Sequence, residues 1–446
     1  MIAFSYCFYL VFGLIGVLFI TVLAVAGFYV GRQLGNSSSA STSKRYLWLG
    51  IAANLGALGL IKYSGFLAET AAVAVRPFGV HLWVPDHPLL QIVGLSYFTF
   101  AGLSYLFDIY YGRMEPCQSL LEYVCYLVYF PKLIAGPIVR AVDLLPQLKS
   151  AALPTVQDLE VGCTYFLVGA VKKLVIADQM SSHVSMILAA PQHYNAFTLV
   201  QGLIGYSVQI YADFSGYSDM AIGCARMMGF KFPQNFLMPY SSVNIAEFWR
   251  RWHITMSNWF RDYVFLPLEI NSRHMRNANV RASRNVILTM LLCGLWHGAS
   301  WNFVVWGGLH GVALAVYQVY ANARRKVRRG TRSAFHPGTL AARALTLSVV
   351  MLGYVFFGTR TLNLAFTYLW RMLSWSREGV ALGSPYIVPL VALVLIFHLL
   401  INKDRNLVEE LATYSVPVRV LAYGVLLLAL TSLVPGEAVP FVYVKF

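Results

Sequence analysis

The chain has 446 residues, of which 58% are hydrophobic and only 12% are charged. Soluble proteins carry about 25% charged residues, so this composition excludes an ordinary soluble domain and, with several long uncharged stretches, predicts a polytopic membrane protein. The net charge is +15, but the basic residues lie in short loops between apolar stretches. That arrangement is typical of the positive-inside bias of cytoplasmic loops and argues against nucleic-acid binding.

Six cysteines are scattered through the chain, mostly in apolar stretches, and no CxxC pair occurs. This pattern indicates neither a zinc site nor a disulfide framework, and no metal is expected. Aromatic residues make up 15% of the chain, which suits interfacial belts and a tightly packed interior.

The first part of the chain predicts three membrane spans. Residues 1–31 carry no charge and predict a spanning helix, because a cleaved signal peptide would need a basic start and a shorter apolar core. Residues 32–45 are polar and rich in serine, and they predict a flexible cytoplasmic loop. A second span is predicted at 46–67 and a third at 89–111, on either side of a proline-rich loop at 76–88.

Residues 118–140 are apolar but interrupted by two prolines, a lysine and a glycine. Broken helices at membrane depth occur where the backbone lines a cavity or is buried in protein. A kinked helix that turns at the interface explains the pattern equally well, so both interpretations stay open.

Residues 164–176 predict a short span, and 197–212 predict another that leads into YADFSGYSDMAIG at 211–223. The last segment places Asp213 and Asp219 among small and aromatic residues. Buried carboxylates need partners. Each is therefore expected first to form an ion pair or a cap that stabilises the fold, with a functional role as the alternative.

Residues 244–265 predict an amphipathic helix that lies in the membrane interface, because the segment is basic and rich in tryptophan. At helical spacing the apolar face comprises Ile245, Phe248, Trp249, Trp252, Met256, Trp259, Phe260 and Tyr263, and the polar face comprises Glu247, Arg250, Arg251, Asn258, Arg261 and Asp262. His253 falls at the edge of the apolar face, where a polar tip that snorkels toward water is the ordinary expectation.

The stretch 285–323 contains no Asp, Glu, Lys or Arg, and its ionisable side chains are His297 and His310. A straight helix of this length would reach roughly 58 Å, well beyond the ~30 Å hydrocarbon core, so a break is predicted at 298–300. If both ends are cytoplasmic, the first arm is too short to cross and ends with His297 at membrane depth. An imidazole there is costly, so His297 is a functional candidate, with a hydrogen bond across a helix pair as the alternative.

The remainder of the chain begins with a densely basic stretch at 324–332, which predicts a cytoplasmic loop. Three further spans are predicted, at 344–359, 380–400 and 420–433. Residues 361–376 suit an interfacial or re-entrant piece, and no inverted repeat is evident. The whole chain, 1–446, therefore predicts one domain with roughly nine to eleven membrane segments.

Five motifs together resemble the membrane-bound O-acyltransferase family. They are FPKLIAGPIVR (130–140), YADFSGYSDMAIG (211–223), FWRRWHITMSNWFRDY (248–263), LCGLWHGASWNFVVWGGLHG (292–311) and PFVYVKF (440–446). The resemblance covers nearly the whole chain and implies an all-α membrane bundle with re-entrant and interfacial helices around a central tunnel. Within the family, the chain is most similar to members that O-acetylate exported polysaccharides such as alginate, cellulose or peptidoglycan, or carry D-alanine toward teichoic acids.

The family uses two histidines, which match His297 in LWHG and His253 in WRRWH. The resemblance therefore implies a catalytic His253, against the snorkelling role expected from its position alone. A neutral imidazole can act as general base, the role expected of His297, while His253 is expected to orient the donor thioester or the tetrahedral oxyanion. Ser257 and Ser300 lack a Ser-His-Asp or GxSxG context, so direct transfer is preferred. Residues expected to bind substrate or donor are Arg250, Arg251, Trp296, Asn302, Asp213, Ser215, Tyr217 and Asp219.

The resemblance also implies the reaction partners. The donor is expected to be cytosolic acetyl-CoA or an acetyl carrier, with no bound cofactor, and its phosphates would suit Arg250, Arg251, Arg273 and Arg276. A multi-pass protein of the bacterial inner membrane would pass the acetyl group to a periplasmic SGNH-type acetyltransferase or a small membrane partner of a polysaccharide secretion complex. A pore bounded by broken helices at 118–140 and 285–301 would suit that path.

Two other classes stay open. An acyl or lipid transporter without chemistry would use the intramembrane carboxylates Asp213 and Asp219, and an assembly scaffold would keep full function after replacement of both histidines. Relatives of this type carry extra hydrophobic sequence before the region that matches 5–34. This chain is expected to lack that sequence, so the resemblance says least about the first helices.

Overall fold

The computed structural model describes residues 1–84, 92–150, 153–324, 336–400, 404, 406–436 and 439–442. These residues form helices joined by loops, and within them the pairing of Tyr194 with Val380 is an isolated bridge rather than a strand. The predicted all-helical class is confirmed. The chain divides into two compact units, Met1–Asp158 with Ala225–Pro233 and Leu159–Cys224 with Gln234–Phe446. The prediction of one domain stays a prediction.

In the described part of the first unit, residues 1–150 form eight consecutive α-helices. They are α1 (Ile2–Leu10), α2 (Leu14–Gly35), α3 (Ala40–Leu58), α4 (Ser64–Val75), α5 (Leu95–Tyr110), α6 (Leu120–Val128), α7 (Phe130–Leu133) and α8 (Ala141–Ser150). A π-helical turn, Gly59–Tyr63, joins α3 to α4. The predicted second span is therefore longer than expected, because the chain stays helical from Ala40 to Phe78.

The beginning of the chain differs from its prediction. The single span expected at 1–31 is two helices, because Gly13 adopts a φ of 110°, which glycine tolerates far better than other residues. The flexible loop expected at 32–45 is also wrong. Helix α2 continues to Gly35, and Ser39 starts α3 by accepting a hydrogen bond from the Thr42 amide, as N-cap serines do.

Residues 118–140 form a broken helix, and the structure decides between the two interpretations. Helix α6 ends at Val128, the four-residue α7 follows, and the irregular backbone from Ile134 to Val139 is buried within the first unit. A Cβ added at Gly136 would collide with the Pro131 carbonyl oxygen, so the broken backbone packs against itself. This is the case of irregular backbone buried in protein.

From residue 156 onward the described chain forms thirteen further α-helices. They are α9 (Val156–Ala170), α10 (Asp178–Ala189), α11 (Ala196–Met227), α12 (Ile245–Arg251), α13 (Ile254–Phe260), α14 (Leu266–Asn271), α15 (Ala278–His297), α16 (Trp301–Arg324), α17 (Pro337–Gly358), α18 (Leu362–Leu373), α19 (Ile387–Leu400), α20 (Leu407–Leu411) and α21 (Val416–Leu433). Most of the basic stretch at 324–332 lies outside the described residues.

Five helices of the described chain are long and apolar enough to cross a membrane. They are Leu14–Gly35, Ala40–Phe78, Trp301–Arg324, Pro337–Gly358 and Val416–Leu433, and Ile387–Leu399 is a shorter apolar helix. A multi-pass membrane protein is confirmed. The remaining segments of the expected nine to eleven would have to come from helices shorter than a full span.

The amphipathic helix predicted at 244–265 is wrong in two respects. The segment breaks into α12 and α13 at Trp252 and His253, and a π-helical turn, Arg261–Phe265, follows α13. It is also largely buried rather than interfacial. Glu247 and Arg251, which the periodicity placed on a polar face, form an ion pair (3.2 Å) inside the second unit. Helical periodicity does not distinguish a solvated charge from a buried pair.

The uncharged stretch 285–323 forms the predicted helical hairpin. Helix α15 ends at His297, and α16 begins at Trp301, so the chain breaks where glycine and serine were expected to break it. The first arm, however, begins at Ala278 and has 20 residues. At 1.5 Å per residue it is about 30 Å long, but it is not among the described helices that are apolar enough to cross a membrane, so the expectation of an uncharged arm too short to cross stays a prediction.

Glycines bring the two arms of the hairpin into backbone contact. A Cβ added at Gly294 would collide with the Phe303 carbonyl oxygen, and one added at Gly307 would collide with the Met290 carbonyl oxygen. Small residues of this kind allow apolar helices to pack closely where water supplies no driving force. The crossing lies one helical turn from His297 and therefore fixes its position.

The hairpin contact is tested by a matched pair of substitutions. We expect Gly307→Ala to destabilise the protein by about 1–3 kcal/mol, because overpacking forces the helices apart. Gly308→Ala is the control, because its nearest new neighbour would be a Leu291 methyl at 3.6 Å, an ordinary contact. Thermal unfolding of purified protein in detergent measures the difference, and equal midpoints for the two variants would contradict the proposed crossing.

Candidate active site

His253 lies at the junction of α12 and α13. Its φ is 42°, a left-handed conformation that non-glycine residues adopt rarely and mostly under constraint. The segment after Gln234 supplies that constraint, because Leu237 N donates to Arg251 O (3.0 Å) and Ile254 N donates to Asn235 O (2.9 Å). The side chain of His253 is fully buried, 0% exposed. The expected snorkelling position is therefore wrong.

Asn235 determines which nitrogen of His253 carries the proton. The Asn235 Oδ1 atom accepts hydrogen bonds from the Thr255 backbone amide (3.3 Å) and hydroxyl (2.9 Å), so the orientation of the amide is fixed. His253 Nδ1 lies 3.0 Å from the same oxygen and must donate to it. In the neutral ring Nε2 then carries the lone pair, and it accepts rather than donates a hydrogen bond.

The surroundings of His253 keep its ring neutral. Phe214 packs edge-on against it at 4.7 Å between ring centroids, and Phe236 stacks at 6.4 Å. Burial lowers the pKa of His253 to about 3, since the charged form is not hydrated there. A neutral acceptor at Nε2 is thus present across the physiological pH range.

His297 is the last residue of α15 and is 5% exposed. Three aromatic rings hold it: Trp296 at 4.8 Å, Trp306 at 4.9 Å and Phe357 at 5.3 Å, each between ring centroids and each close to edge-on. Gly298 is required directly after it, because a Cβ there would collide with the Phe303 ring. The imidazole therefore lies inside the protein, in an aromatic enclosure.

The two predicted histidines meet at one tryptophan. Trp296 contacts the His297 ring at 4.8 Å and the His253 ring at 6.1 Å between centroids. All three residues belong to the second unit. Of the side chains predicted for the site, these three are the ones that the ring contacts bring together.

Trp306 and His310 extend the same cluster, and sequence reasoning gave neither of them a role. Trp306 contacts His297 and His310, both at 4.9 Å, and Trp249 contacts His310 at 5.2 Å. Within the described chain, no hydrogen bond reaches the His310 ring nitrogens or the Nε1 atoms of Trp249 and Trp306. Asn302, Trp306 and His310 are four residues apart along α16 and therefore lie on one face of that helix. This spacing was the signal in the sequence that could have revealed the cluster.

Asn302 has a structural task in addition to any role in binding. Its Nδ2 donates to the carbonyl oxygens of Phe356 (3.2 Å) and Thr359 (2.8 Å) at the end of α17. The last carbonyls of a helix lack partners within the helix. Asn302 thus ties the start of α16 to the end of α17, beside Phe357 of the aromatic enclosure.

Asp213 lies in a buried ion cluster. Lys173 Nζ lies 2.6 Å from Asp213 Oδ1 and 2.8 Å from Asp178 Oδ1, and the side chains of all three residues are at most 5% exposed. Lys173 also donates to Val439 O (3.0 Å), and Asp213 Oδ2 accepts from Val442 N (2.8 Å). The ion pair expected first for Asp213 is confirmed, and it anchors the segment near the end of the chain.

The other residues of α11 that were predicted to bind substrate or donor also have partners or are buried. Asp219 pairs with Lys172 at 2.6 Å, Tyr217 packs edge-on against Phe441 at 4.6 Å, and Ser215 is buried. None of these contacts involves the histidine cluster. A role for these residues in binding substrate or donor stays a prediction.

The arginines predicted to bind phosphate differ in their availability. Arg251 is buried, with Nε on Glu247 (3.2 Å), Nη1 on Leu237 O (3.3 Å) and Nη2 on Asp404 (2.7 Å). A guanidinium used in this way stabilises the turn before His253. Arg250, Arg273 and Arg276 are exposed. They suit the predicted contact with a phosphorylated donor better than Arg251 does.

Comparison with known proteins identifies the family. Residues 114–358, more than half of the chain, match the family model of the membrane-bound O-acyltransferases. The chain belongs to the membrane-bound O-acyltransferase family. The matched range contains both histidines, the hairpin of α15 and α16, and the broken helix at 118–140.

The similar proteins are named for acyl transfer involving alginate, peptidoglycan or teichoic acid. The chain is 38% identical to the probable alginate O-acetylase AlgI of Azotobacter vinelandii, over 78% of this chain and 66% of that protein. It is 31% identical to the peptidoglycan O-acetyltransferase of Helicobacter pylori, over 80% and 70%, and 28% identical to the teichoic acid D-alanyltransferase of Bacillus subtilis, over 75% and 82%. The chain thus spans about two thirds of the length of the AlgI protein it matches.

The ion cluster around Lys173 is tested by removing its cation. We expect Lys173→Met to lower the free energy of unfolding by about 3–5 kcal/mol, because two buried carboxylates lose their partner. Lys172→Met is the control, since the side chains of the Lys172–Asp219 pair are 25% and 15% exposed and a smaller loss follows. Denaturant unfolding of the two purified variants measures the loss of stability. An equal loss in both would contradict the expectation that the Lys173 cluster contributes more than the Lys172–Asp219 pair.

Proposed function

We propose that the chain is the membrane subunit of a polysaccharide O-acetylation system and transfers acetyl groups from a thioester donor. The observation that carries this proposal is that His253 and His297 are both buried and both contact the Trp296 ring. Family membership supports acyl transfer as the reaction class. The relatives that O-acetylate alginate and peptidoglycan support an acetyl group and a polysaccharide as donor group and final acceptor.

His297 is proposed as the general base. Its imidazole takes the proton from an acceptor hydroxyl while that oxygen attacks the thioester carbonyl carbon. The tetrahedral intermediate then collapses, the carbon–sulfur bond breaks, and the imidazolium returns the proton to the departing thiolate. The products are an acetyl ester and a free thiol, so the step needs no oxidant or reductant. A positioned general base is worth typically 10²–10⁴-fold in rate.

His253 is proposed to position the donor rather than to stabilise the oxyanion. An oxyanion needs a donor, but Nε2 of the neutral ring accepts hydrogen bonds because Nδ1 donates to Asn235. An acceptor suits an amide N–H, such as those along the arm that carries the thioester of acetyl-CoA. Of the two roles expected from sequence, donor orientation therefore fits this geometry better.

The remaining parts of the proposal concern location and partners. We propose the bacterial inner membrane, with cytosolic acetyl-CoA or an acetyl carrier as donor and the exposed Arg250, Arg273 and Arg276 as phosphate contacts. A periplasmic SGNH-type acetyltransferase or a small membrane protein of a polysaccharide secretion complex would then receive the acetyl group. The names of the relatives support export to a polymer outside the cell.

The general-base role is tested by His297→Gln, which keeps a polar side chain but cannot accept and return a proton. We expect the release of CoA from labelled acetyl-CoA by purified protein in nanodiscs, and acetylation of the polymer in cells, to fall at least 100-fold. The melting temperature should stay near that of the unmodified protein. Unchanged CoA release by the folded variant would remove His297 from the mechanism.

Ser300→Ala is the matched control for covalent catalysis. Ser300 lies in the same turn as His297, and its loss should leave CoA release within about twofold, because direct transfer forms no acyl-serine. An acetyl group found on Ser300 by mass spectrometry, with activity lost in Ser300→Ala, would replace the direct mechanism with a two-step one.

The positioning role of Asn235 is tested by Asn235→Asp. A carboxylate at this position favours the imidazolium form and raises the pKa of His253 from its depressed value toward neutrality. The rate of CoA release should then fall as the pH drops through that raised pKa, whereas the unmodified protein shows no such decline due to His253. Adding His253→Gln should remove the new decline, and its persistence would show that another group titrates.

The structure weakens the main argument for a transporter without chemistry. It depended on the intramembrane carboxylates Asp213 and Asp219, and both are paired with lysines. CoA release that depends on His297 supports the enzyme. Movement of the acyl group without thioester cleavage would support the transporter.

A further inference from the structure

The outward face of α3 begins with two basic residues, Lys44 and Arg45. Both lie in the second turn of the helix, and both are exposed. Neither takes part in an ion pair among the described residues, whereas Arg113 of the same unit pairs with Asp108 (3.1 Å). The start of α3 therefore presents two adjacent positive charges to a partner outside the chain.

The same face of α3 becomes apolar one turn further along. Trp48 is 59% exposed, and Leu49 and Leu55 are exposed after it. At 100° per residue these side chains fall on the same side of the helix as Lys44 and Arg45. Cations, then a tryptophan, then aliphatic side chains is the order in which a helix meets headgroups, interface and hydrocarbon. An acidic soluble partner would match the charges but not the apolar residues that follow them.

Contacts between α3 and α5 place an aromatic residue of α5 at the same level. A Cβ added at Gly50 would collide with the Leu106 side chain, and one added at Gly102 would lie 3.0 Å from Asn54 Oδ1. The two helices are therefore antiparallel, and α5 ends beside the basic start of α3. Tyr110, the last residue of α5, is exposed there. Because tyrosine and tryptophan are enriched where a membrane meets water, this end of the first unit suits that boundary.

The connection between α2 and α3 indicates which side of the membrane this end faces. Residues 32–45 contain three basic residues, Arg32, Lys44 and Arg45, and no Asp or Glu. Arg32 lies in the last turn of α2, so basic residues flank the short connection on both sides. Such a bias marks the cytoplasmic side, where the anionic lipids of the leaflet attract basic segments.

We propose that this face of α3 binds an anionic phospholipid of the cytoplasmic leaflet, with its phosphate against Lys44 and Arg45 and an acyl chain along Trp48 and Leu55. A phosphodiester carries one negative charge on two free oxygens, which two adjacent cations can satisfy. A zwitterionic lipid brings its own cation, so the site selects lipids with a net negative charge. The proposal concerns the first unit alone and does not require the acyl transfer proposed at His297.

Retention of phosphatidylglycerol by the full-length protein in detergent, counted by native mass spectrometry, tests the proposal. We expect a double variant, Lys44→Gln with Arg45→Gln, to weaken retention at least tenfold, because each basic residue near a membrane surface contributes about fivefold. Arg76→Gln is the matched control. Arg76 is an exposed arginine near the other end of the same continuous helical segment, Ala40–Phe78, and its loss should change retention by less than about twofold.

Trp48 reports whether the bound lipid lies along α3. Its fluorescence, measured as the difference between the unmodified protein and Trp48→Phe, should be quenched more by dibrominated phosphatidylglycerol than by dibrominated phosphatidylcholine. The excess should disappear in the double variant and at high ionic strength, because exposed charges are then removed or screened.

Four results would overturn the proposal. They are equal retention of phosphatidylglycerol and phosphatidylcholine by the unmodified protein, unchanged retention in the double variant, an equal loss in Arg76→Gln, and displacement of the lipid by soluble glycerol phosphate at the same concentration. The last result would identify a phosphate site to which the acyl chain contributes nothing. The rate of CoA release in His297→Gln, whatever its value, leaves these outcomes unaffected.

Discussion

The backbone contact between α15 and α16 is the constraint on which the histidine cluster depends. Gly294 and Gly307 let the helices approach until the carbonyl oxygens of one lie against the α-carbons of the other. His297 ends α15 one turn away, and Trp306 and His310 follow from α16 on the same side. Any residue larger than glycine at the crossing would separate the imidazole from the tryptophan that holds it. The position of the proposed catalytic histidine therefore depends first on the packing of the two helices and only then on polar contacts.

Several buried polar groups of the second unit are held in place by hydrogen bonds or ion pairs with specific partners. Lys173 forms ion pairs with two aspartates, and Arg251 forms them with Glu247 and Asp404. Asn235 accepts hydrogen bonds from both Thr255 and His253. Because a lone charge in a dry interior is costly, each pair also locks the backbone segments that carry it. His253 shows the consequence, since Asn235 fixes its tautomer and, together with Leu237, constrains its left-handed backbone.

The sequence predicted the elements that depend on local chemistry and missed those that depend on distant partners. The break after His297 follows from the length of an uncharged stretch and from glycine, and both are visible in the sequence. The ion pair between Arg251 and Asp404 joins residues more than 150 positions apart, and no periodicity reveals it. For the same reason the helix at 244–265 was predicted as interfacial, although it is broken and buried. His253 was found by family resemblance and not by its position.

The tautomer of His253 separates the roles of the two histidines. A single pair of equivalent imidazoles could exchange tasks, one acting as base and the other as donor. Here Asn235 leaves His253 Nε2 as an acceptor, and burial keeps the ring neutral, so it cannot supply a proton to a developing oxyanion. His297 ends its helix and packs against three aromatic rings, and it is the residue proposed to take up and return the proton. In the proposed mechanism this asymmetry between the two histidines, rather than the presence of two of them, would direct the proton transfer through His297.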